Sequence, residues 1–188
     1  MNMPYRQIRA VYTEEAVTVY QAYDPAIATP AVAAQRFVAP FKRDRMTWIK
    51  PSFLWMMYRC GYATKPGQTR VLAIELSRDG FEWALAHSCL SHDARHKSAY
   101  PVRVQWDPER DARLHALPYR SIQIGLSGQA VDRYLEGTLT ITDVTQRAHD
   151  IRQALRDGAD IIPLLPAERP YPLSDDLKTV IGATVSEA

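Results

Sequence analysis

The sequence has few of the residues that usually mark a mechanism. It contains two cysteines, Cys60 and Cys89, and eight glycines in 188 residues. Two cysteines are too few for a disulfide framework or a cysteine-based zinc site. No glycine-rich phosphate loop or nucleophile elbow occurs. The sequence therefore offers no support for P-loop hydrolysis or for ordinary triad hydrolysis.

Long hydrophobic runs are also missing. No stretch approaches the roughly 18 apolar residues of a membrane span, and no charged-then-apolar leader precedes Tyr5. We therefore expect a cytoplasmic protein without a membrane partner. The length of 188 residues, with 46% hydrophobic residues, is typical of one globular domain, 1–188. We expect its core at about 5–160, followed by a proline-rich strap and C-terminal tail over 161–188.

A large excess of charge of either sign is missing overall, because the net charge is only +2. The distribution is uneven, however. Residues 36–70 contain eight cations and one acid, whereas the rest of the chain contains 15 cations and 20 acids. This local excess predicts recognition of an anionic group such as phosphate, and a solvated basic loop is the alternative interpretation.

The hydrophobic pattern predicts an α+β fold. Strands do not alternate regularly with helices, which favours a mixed or antiparallel twisted sheet with helices packed on it over a doubly wound parallel sheet. Pro108 predicts the end of one of these strands. Strand patterns lie at 8–12, 16–23, 46–49, 69–76, 102–107, 119–125 and 139–142; helical patterns lie at 26–37, 52–59, 79–89, 128–135 and 143–156.

The stretch 45–62 concentrates two Trp, two Tyr and three Met. Pro51 divides it into a short strand and a helix that Gly61 ends. At the start of that helix, free backbone N–H groups favour an anion, which predicts phosphate binding by Lys50, Ser52 and Arg59. Trp48 and Trp55 offer flat faces for a base. The alternative is that both tryptophans belong to the core.

Several strands carry polar residues among apolar ones, and we expect these to face a ligand. A buried glutamine needs partners for its amide, which a ligand or the backbone can provide. Strand edges wetted by solvent are the alternative. The residues in question are Tyr20, Gln21, Tyr23, Arg103, Gln105, Arg120 and Gln123.

The pair His92 and His96 has the spacing of two metal ligands on one helix face. The intervening catalytic Glu is missing and the surroundings are polar and loop-like. We therefore expect no metal.

Four blocks together resemble the DUF4291 family of bacterial and fungal proteins, whose name carries no activity. They are Val19-Tyr-Gln-Ala-Tyr23, Arg45-Met-Thr-Trp-Ile-Lys-Pro-Ser-Phe-Leu-Trp-Met-Met-Tyr-Arg59, Val102-Arg-Val-Gln-Trp-Asp-Pro108 and Arg120-Ser-Ile-Gln-Ile-Gly-Leu126. The resemblance covers about residues 8–145. A resemblance to this family therefore leaves the function open.

The order of these blocks is also similar to that of compact ADP-ribosyltransferase domains, which grip NAD. That resemblance implies an ADP-ribosyltransferase-like fold with NAD as the ligand. Two positions depart from the pattern: Gln21 stands where Arg or His is expected, and Gln123 where Glu is expected. A glutamine cannot act as a base or offset a developing oxocarbenium charge, so NAD or nucleotide binding is better supported than transfer.

The leading hypothesis is thus an NAD- or nucleotide-binding transferase that acts on a nucleic acid or protein acceptor. Its candidate catalytic residues are Tyr20, Arg120 and Gln123. A non-catalytic module that binds single-stranded nucleic acid through the same basic-aromatic surface is the alternative. A third interpretation is a small-molecule or protein-interaction domain in which 45–62 is simply core. The acceptor and the oligomeric state do not follow from the sequence.

Overall fold

The computed structural model describes residues 4–92 and 99–184, which form nine strands, six α-helices and one short 3-10 helix. The strands are β1 (Arg9–Ala10), β2 (Ala16–Tyr23), β3 (Thr47–Ile49), β4 (Arg70–Ser77), β5 (Ser88–Leu90), β6 (Val102–Arg110), β7 (Ala116–Leu126), β8 (Thr138–Asp143) and β9 (Arg169–Pro170). The helices are α1 (Pro25–Ala34), α2 (Phe53–Cys60), α3 (Arg78–Ala86), α4 (Gln129–Gly137), α5 (Thr145–Asp157) and α6 (Asp175–Ile181); the 3-10 helix is Ile162–Leu164.

The strands form three sheets. An antiparallel sheet has the order β2-β4-β8, and a mixed sheet has the order β3-β7-β6-β5, in which only the β5–β6 pair is parallel among the described strands. The short pair β1-β9 completes them. Backbone hydrogen bonds between Tyr20 and Lys50 link the two larger sheets. These features confirm the predicted α+β class with mixed and antiparallel pairing.

The mixed sheet has one apolar and one polar face, because side chains alternate along each strand. Val104, Ile122 and Ile124 are fully buried on the apolar face, which belongs to the main core. Gln105 and Gln123 oppose each other on the other face. Helix α2 contacts β6 and β2, so it lies beside the polar groups rather than on the main core.

Helix α2 forms where the sequence predicts it. Ser52 is the N-cap, and its hydroxyl oxygen accepts a hydrogen bond from the Trp55 amide at 3.2 Å. Gly61 ends the helix with φ of 60°, a left-handed conformation that glycine adopts without steric cost. The apolar stripe that includes Phe53 and Met57 is buried in a second cluster with Tyr20 and residues of α5.

Several regions differ from the sequence prediction. The helix predicted over 79–89 ends at Ala86, and Ser88–Leu90 form strand β5. Strand β6 does not end before Pro108 but continues to Arg110, because a register shift beyond Pro108 accommodates the residue without a regular ladder. The segment expected to be a strap and tail contributes β9, the capped helix α6 and the fully buried Ile181. Trp106 Nε1 donates to the Ile181 carbonyl at 2.7 Å, which ties this segment to the core.

Candidate functional site

A cleft of about 650 Å³ opens beside the polar face of the mixed sheet. One wall is the end of β2 with Gln21 and Tyr23, and a second is the loop 40–46. Residues 66–68, Met56 and Arg59 form the opposite rim. Trp48, Lys50, Gln105 and Gln123 line it from the mixed sheet. Seven of the predicted site residues thus line one cleft.

A carboxylate fixes the two glutamines of the polar face. Gln105 Nε2 donates to Asp107 Oδ1 at 2.8 Å, and Gln123 Nε2 donates to Asp107 Oδ2 at 2.6 Å. Since both amide nitrogens point to Asp107, both amide oxygens are directed elsewhere, and neither accepts a hydrogen bond from a side chain that the structure describes. The predicted polar pair therefore comes with a carboxylate that the sequence prediction missed.

Trp48 lies on this face and partly exposes its ring in the cleft. It pairs with Gly125 across the β3–β7 ladder. A Cβ atom added at Gly125 would lie 2.9 Å from the Trp48 ring and 2.9 Å from Met46 Sδ. Only a glycine at this position allows the indole to lie against the neighbouring strand.

Gln21 and Tyr23 line the wall formed by β2. Gln21 is buried and donates to Thr47 Oγ1 at 2.8 Å and to the Trp48 carbonyl at 3.0 Å. Its Oε1 accepts from the Tyr134 hydroxyl at 2.7 Å. The Tyr23 hydroxyl also contacts Thr47 Oγ1, and burial raises the pKa of Tyr23 to about 12. Gln21 is thus engaged in holding the two sheets together, whereas Tyr23 presents part of its ring.

Three exposed cations surround the cleft mouth: Lys42, Arg45 and Arg59. Within residues 4–92 and 99–184, none of them forms an ion pair with an acid. Arg43, from the same loop, is instead paired with Asp132. Unpaired cations on one concave surface produce a positive potential that favours an anionic ligand.

Lys50 lies deeper in the cleft and is only 4% exposed. Its Nζ lies 4.7 Å from the centroid of the Trp55 ring. Burial lowers the pKa of Lys50 to about 7; the Arg59 cation lowers it further and Asp107 opposes the change. Trp55 itself is 6% exposed and packs under this amine, so it supports Lys50 rather than offering a free face.

The N-terminus of α2 does not bind a phosphate through Ser52 in the predicted way, because the protein's own carboxylates occupy it. Ser52 Oγ donates to Glu109 Oε1 at 2.9 Å, and the Phe53 amide donates to Glu168 Oε1 at 2.6 Å. Burial raises the pKa of Glu168 to about 8, and the nearby Glu109 adds to this effect. The position at this helix end that was expected to hold an external anion is thus filled by the side chain of Glu168.

Three other predicted residues lie away from the cleft. Arg120 is three residues from Gln123 and therefore faces the opposite side of β7; its guanidinium donates to the Tyr5 hydroxyl at 2.7 Å and to the Trp106 carbonyl at 3.0 Å. Tyr20 is buried against Phe53 at 5.3 Å between ring centroids. Arg103 shares the polar face but does not line the cleft, and its Nε is buried.

The structure adds residues that sequence reasoning passed over. Asp107 is two residues beyond Gln105, so strand alternation alone predicts that both share a face. Lys42, Arg45 and Met46 belong to the basic segment, for which the sequence predicts recognition of an anionic group without singling out these three residues. Glu109 and Glu168 gave no sequence signal, because they come from segments far from α2 in the chain.

Among the described residues, no group of three or more His, Cys, Asp or Glu side chains could hold a metal ion. Of the pair His92 and His96, His96 lies outside the described residues. In the same part of the chain, no helix has both the length and the apolar character needed to cross a membrane.

The fold and cleft define an α+β protein with a cleft lined by cations and aromatic side chains. The chain belongs to the family described as a domain of unknown function, DUF4291, whose model matches residues 7–171. Comparison with curated protein sequences gives no significant match. Because the match includes β9, the family unit contains Glu168 as well as the cleft.

Proposed function

We propose that the protein is a nucleotide-binding transferase that takes NAD in the cleft and transfers its ADP-ribosyl group to a nucleic acid or protein acceptor. The observation that carries the proposal is that aromatic rings, exposed cations and the amide groups of Gln105 and Gln123 line one cleft. Trp48 and Tyr23 would contact rings, and Arg45 and Arg59 would hold phosphate.

The size of the cleft supports a small ligand over a polynucleotide strand. Its volume of about 650 Å³ falls in the usual range of roughly 300–1,000 Å³ for small-molecule pockets. Single-strand binding modules instead follow the backbone over about 4–16 nucleotides. Binding of single-stranded nucleic acid is thus the alternative that the first experiment tests.

Asp107 carries the negative charge that the amide side chain of Gln123 lacks. In ADP-ribosyl transfer the bond between ribose C1′ and the nicotinamide nitrogen breaks, nicotinamide leaves with the bonding electrons, and the acceptor bonds to C1′. Positive charge develops on the ribose meanwhile, and a carboxylate stabilises it better than an amide does. Asp107 is hydrogen-bonded to both glutamines and lies behind them rather than in the cleft lining, so it would supply that negative charge from behind Gln105 and Gln123, which would orient the ribose.

Calorimetric titration with NAD, ADP-ribose and a single-stranded oligonucleotide tests the binding step. We expect NAD and ADP-ribose to bind and Arg45→Gln to weaken them by roughly tenfold, because a charged phosphate contact is lost. Arg43→Gln is the matched control, since Arg43 pairs with Asp132 and should leave the affinity unchanged. Binding of the oligonucleotide alone would support the nucleic-acid module. No detectable binding of any of the three ligands would reject both functions.

Release of nicotinamide from NAD tests the transfer step, with water, RNA, DNA or protein offered as acceptor. We expect release in the native protein and a loss of about 100-fold or more with Asp107→Asn. If the native protein binds NAD but releases no nicotinamide with any acceptor, transfer is rejected and only ligand binding remains.

A further inference from the structure

Lys50 is a buried residue whose amine is not paired with any residue that the structure describes. It is only 4% exposed and lines the cleft. Its Nζ makes no hydrogen bond or ion pair with any described residue, and its one close contact there is the Trp55 ring at 4.7 Å. Buried lysines are rare and are normally paired with an acid.

The acids in this part of β6 are hydrogen-bonded to other groups. Both oxygens of Asp107 accept amide hydrogen bonds from Gln105 and Gln123. Glu109 Oε1 accepts from Ser52 and from the Arg110 amide. A lysine that served only as a structural cation would be expected to form an ion pair with one of these carboxylates.

The surroundings of Lys50 contain groups that favour its neutral form and groups that favour its charged form. Trp55 and Arg59 face it from α2, Asp107 faces it from β6, and the Tyr20 backbone accepts from its amide on the β2 side. Burial and the Arg59 cation outweigh Asp107, so the pKa falls to about 7. A neutral amine keeps a lone pair and is nucleophilic, whereas an ammonium is not.

We propose that Lys50 is a nucleophile that binds an aldehyde-bearing, phosphorylated ligand covalently as an imine. The Nζ lone pair attacks the aldehyde carbon, and a proton moves from nitrogen to the former carbonyl oxygen to give a carbinolamine. The C–O bond then breaks, and the oxygen leaves as water with the second proton of the amine. No oxidant or reductant is required.

The surroundings of Lys50 define the class of ligand. Arg45 and Arg59 at the mouth would hold an anionic group, and Trp48 would contact a ring or a planar group. Phosphorylated aldehydes and aldoses that open to an aldehyde combine these features; the opened ribose of ADP-ribose is one example. The inference rests on the proposed function only in taking the same cleft as the ligand site.

Reductive trapping tests the imine. The full-length protein is incubated with pyridoxal 5′-phosphate, which carries an aldehyde, a ring and a phosphate, and is then reduced with borohydride. Peptide mass mapping compares Lys50 with Lys42, Lys65, Lys97 and Lys178. We expect Lys50 to react at least roughly tenfold faster than each of the others near neutral pH, with half-maximal reactivity near pH 7.

Control experiments distinguish a specific site at Lys50 from the non-specific reaction of aldehydes with lysines. Pyridoxal, which lacks the phosphate, should label Lys50 much more slowly, and Arg45→Gln should reduce the difference between the two probes. Lys50→Arg should abolish the fast adduct. Because the mapping uses the native protein, the result does not depend on whether this variant folds.

The outcomes distinguish this inference from the proposed function. Equal labelling of all five lysines, or no preference for the phosphorylated probe, overturns the imine proposal even if NAD binds in calorimetry. Selective labelling of Lys50 in a protein that does not bind NAD supports the imine site and rejects the NAD transferase. NAD binding that protects Lys50 from the probe supports both.

Discussion

Gln123 Nε2 lies 2.6 Å from Asp107 Oδ2, and Gln105 occupies the other carboxylate oxygen at 2.8 Å. We predict that Asp107→Asn lowers the free energy of unfolding by about 1–3 kcal/mol, because at least one glutamine then faces a second amide donor. Urea unfolding measures this. Asp176→Asn, at an exposed position of α6, is the control; equal stability of the two variants would contradict the role of the carboxylate.

Gly125→Ala should displace Trp48 from the polar face. The added Cβ would lie 2.9 Å from the indole and from Met46 Sδ, so we expect a loss of about 1–3 kcal/mol of stability. The indole emission should change as well. In a Trp48→Ala background the same glycine substitution should cost clearly less, because part of the clash is gone. Additive costs would show that the two residues are not in contact.

The raised pKa of Glu168 predicts a pH dependence of stability. Between pH 4.5 and about 8 the folded protein retains a proton on Glu168 that the unfolded chain loses, so this group lowers stability as pH rises through that window. Glu168→Gln keeps an oxygen for the Phe53 amide and removes the titration. We therefore expect the variant to gain stability relative to the native protein at pH 8 more than at pH 5, measured as urea midpoints. The same gain at both pH values would contradict the prediction.

The lowered pKa of Lys50 predicts the opposite slope over a different window. From about pH 7 to pH 10.5 the unfolded chain binds a proton that the folded protein does not. Stability contributed by this group therefore rises with pH across that window. We predict that Lys50→Met stabilises the protein by on the order of 3 kcal/mol at pH 6, and by clearly less at pH 9. Chemical unfolding of both proteins at the two pH values measures the difference. A stabilisation that does not change with pH would indicate that Lys50 titrates normally.

Local patterns were sufficient to predict most of the elements. Ser52 caps the start of α2 and Gly61 caps its end, and this cap geometry depends only on a few neighbouring residues. Alternation in β6 places Gln105 on one face and Trp106 on the other. At Pro108 the predicted strand end was wrong, because a register shift set by the partner strand lets β6 continue.

Pairing between strands that are distant in the chain decided which of the predicted residues come together in the cleft. The register of β3 on β7 places Trp48 over Gly125, and that of β6 on β7 places Gln105 opposite Gln123. The same register turns Arg120 toward Tyr5, away from the cleft. A one-residue change of register exchanges the faces of every side chain on a strand, so composition and spacing cannot supply this information.

The amino-acid sequence by itself determined the family, the α+β class and the concentration of cations and aromatic rings around residues 36–70. Only the tertiary structure decided that Glu168 occupies the start of α2, from 115 residues away in the chain. It also decided that Lys50 is buried and that none of the described residues forms an ion pair with it. The physical reason is that caps and periodicity depend on near neighbours, whereas burial and charge pairing depend on segments that meet only in the folded protein.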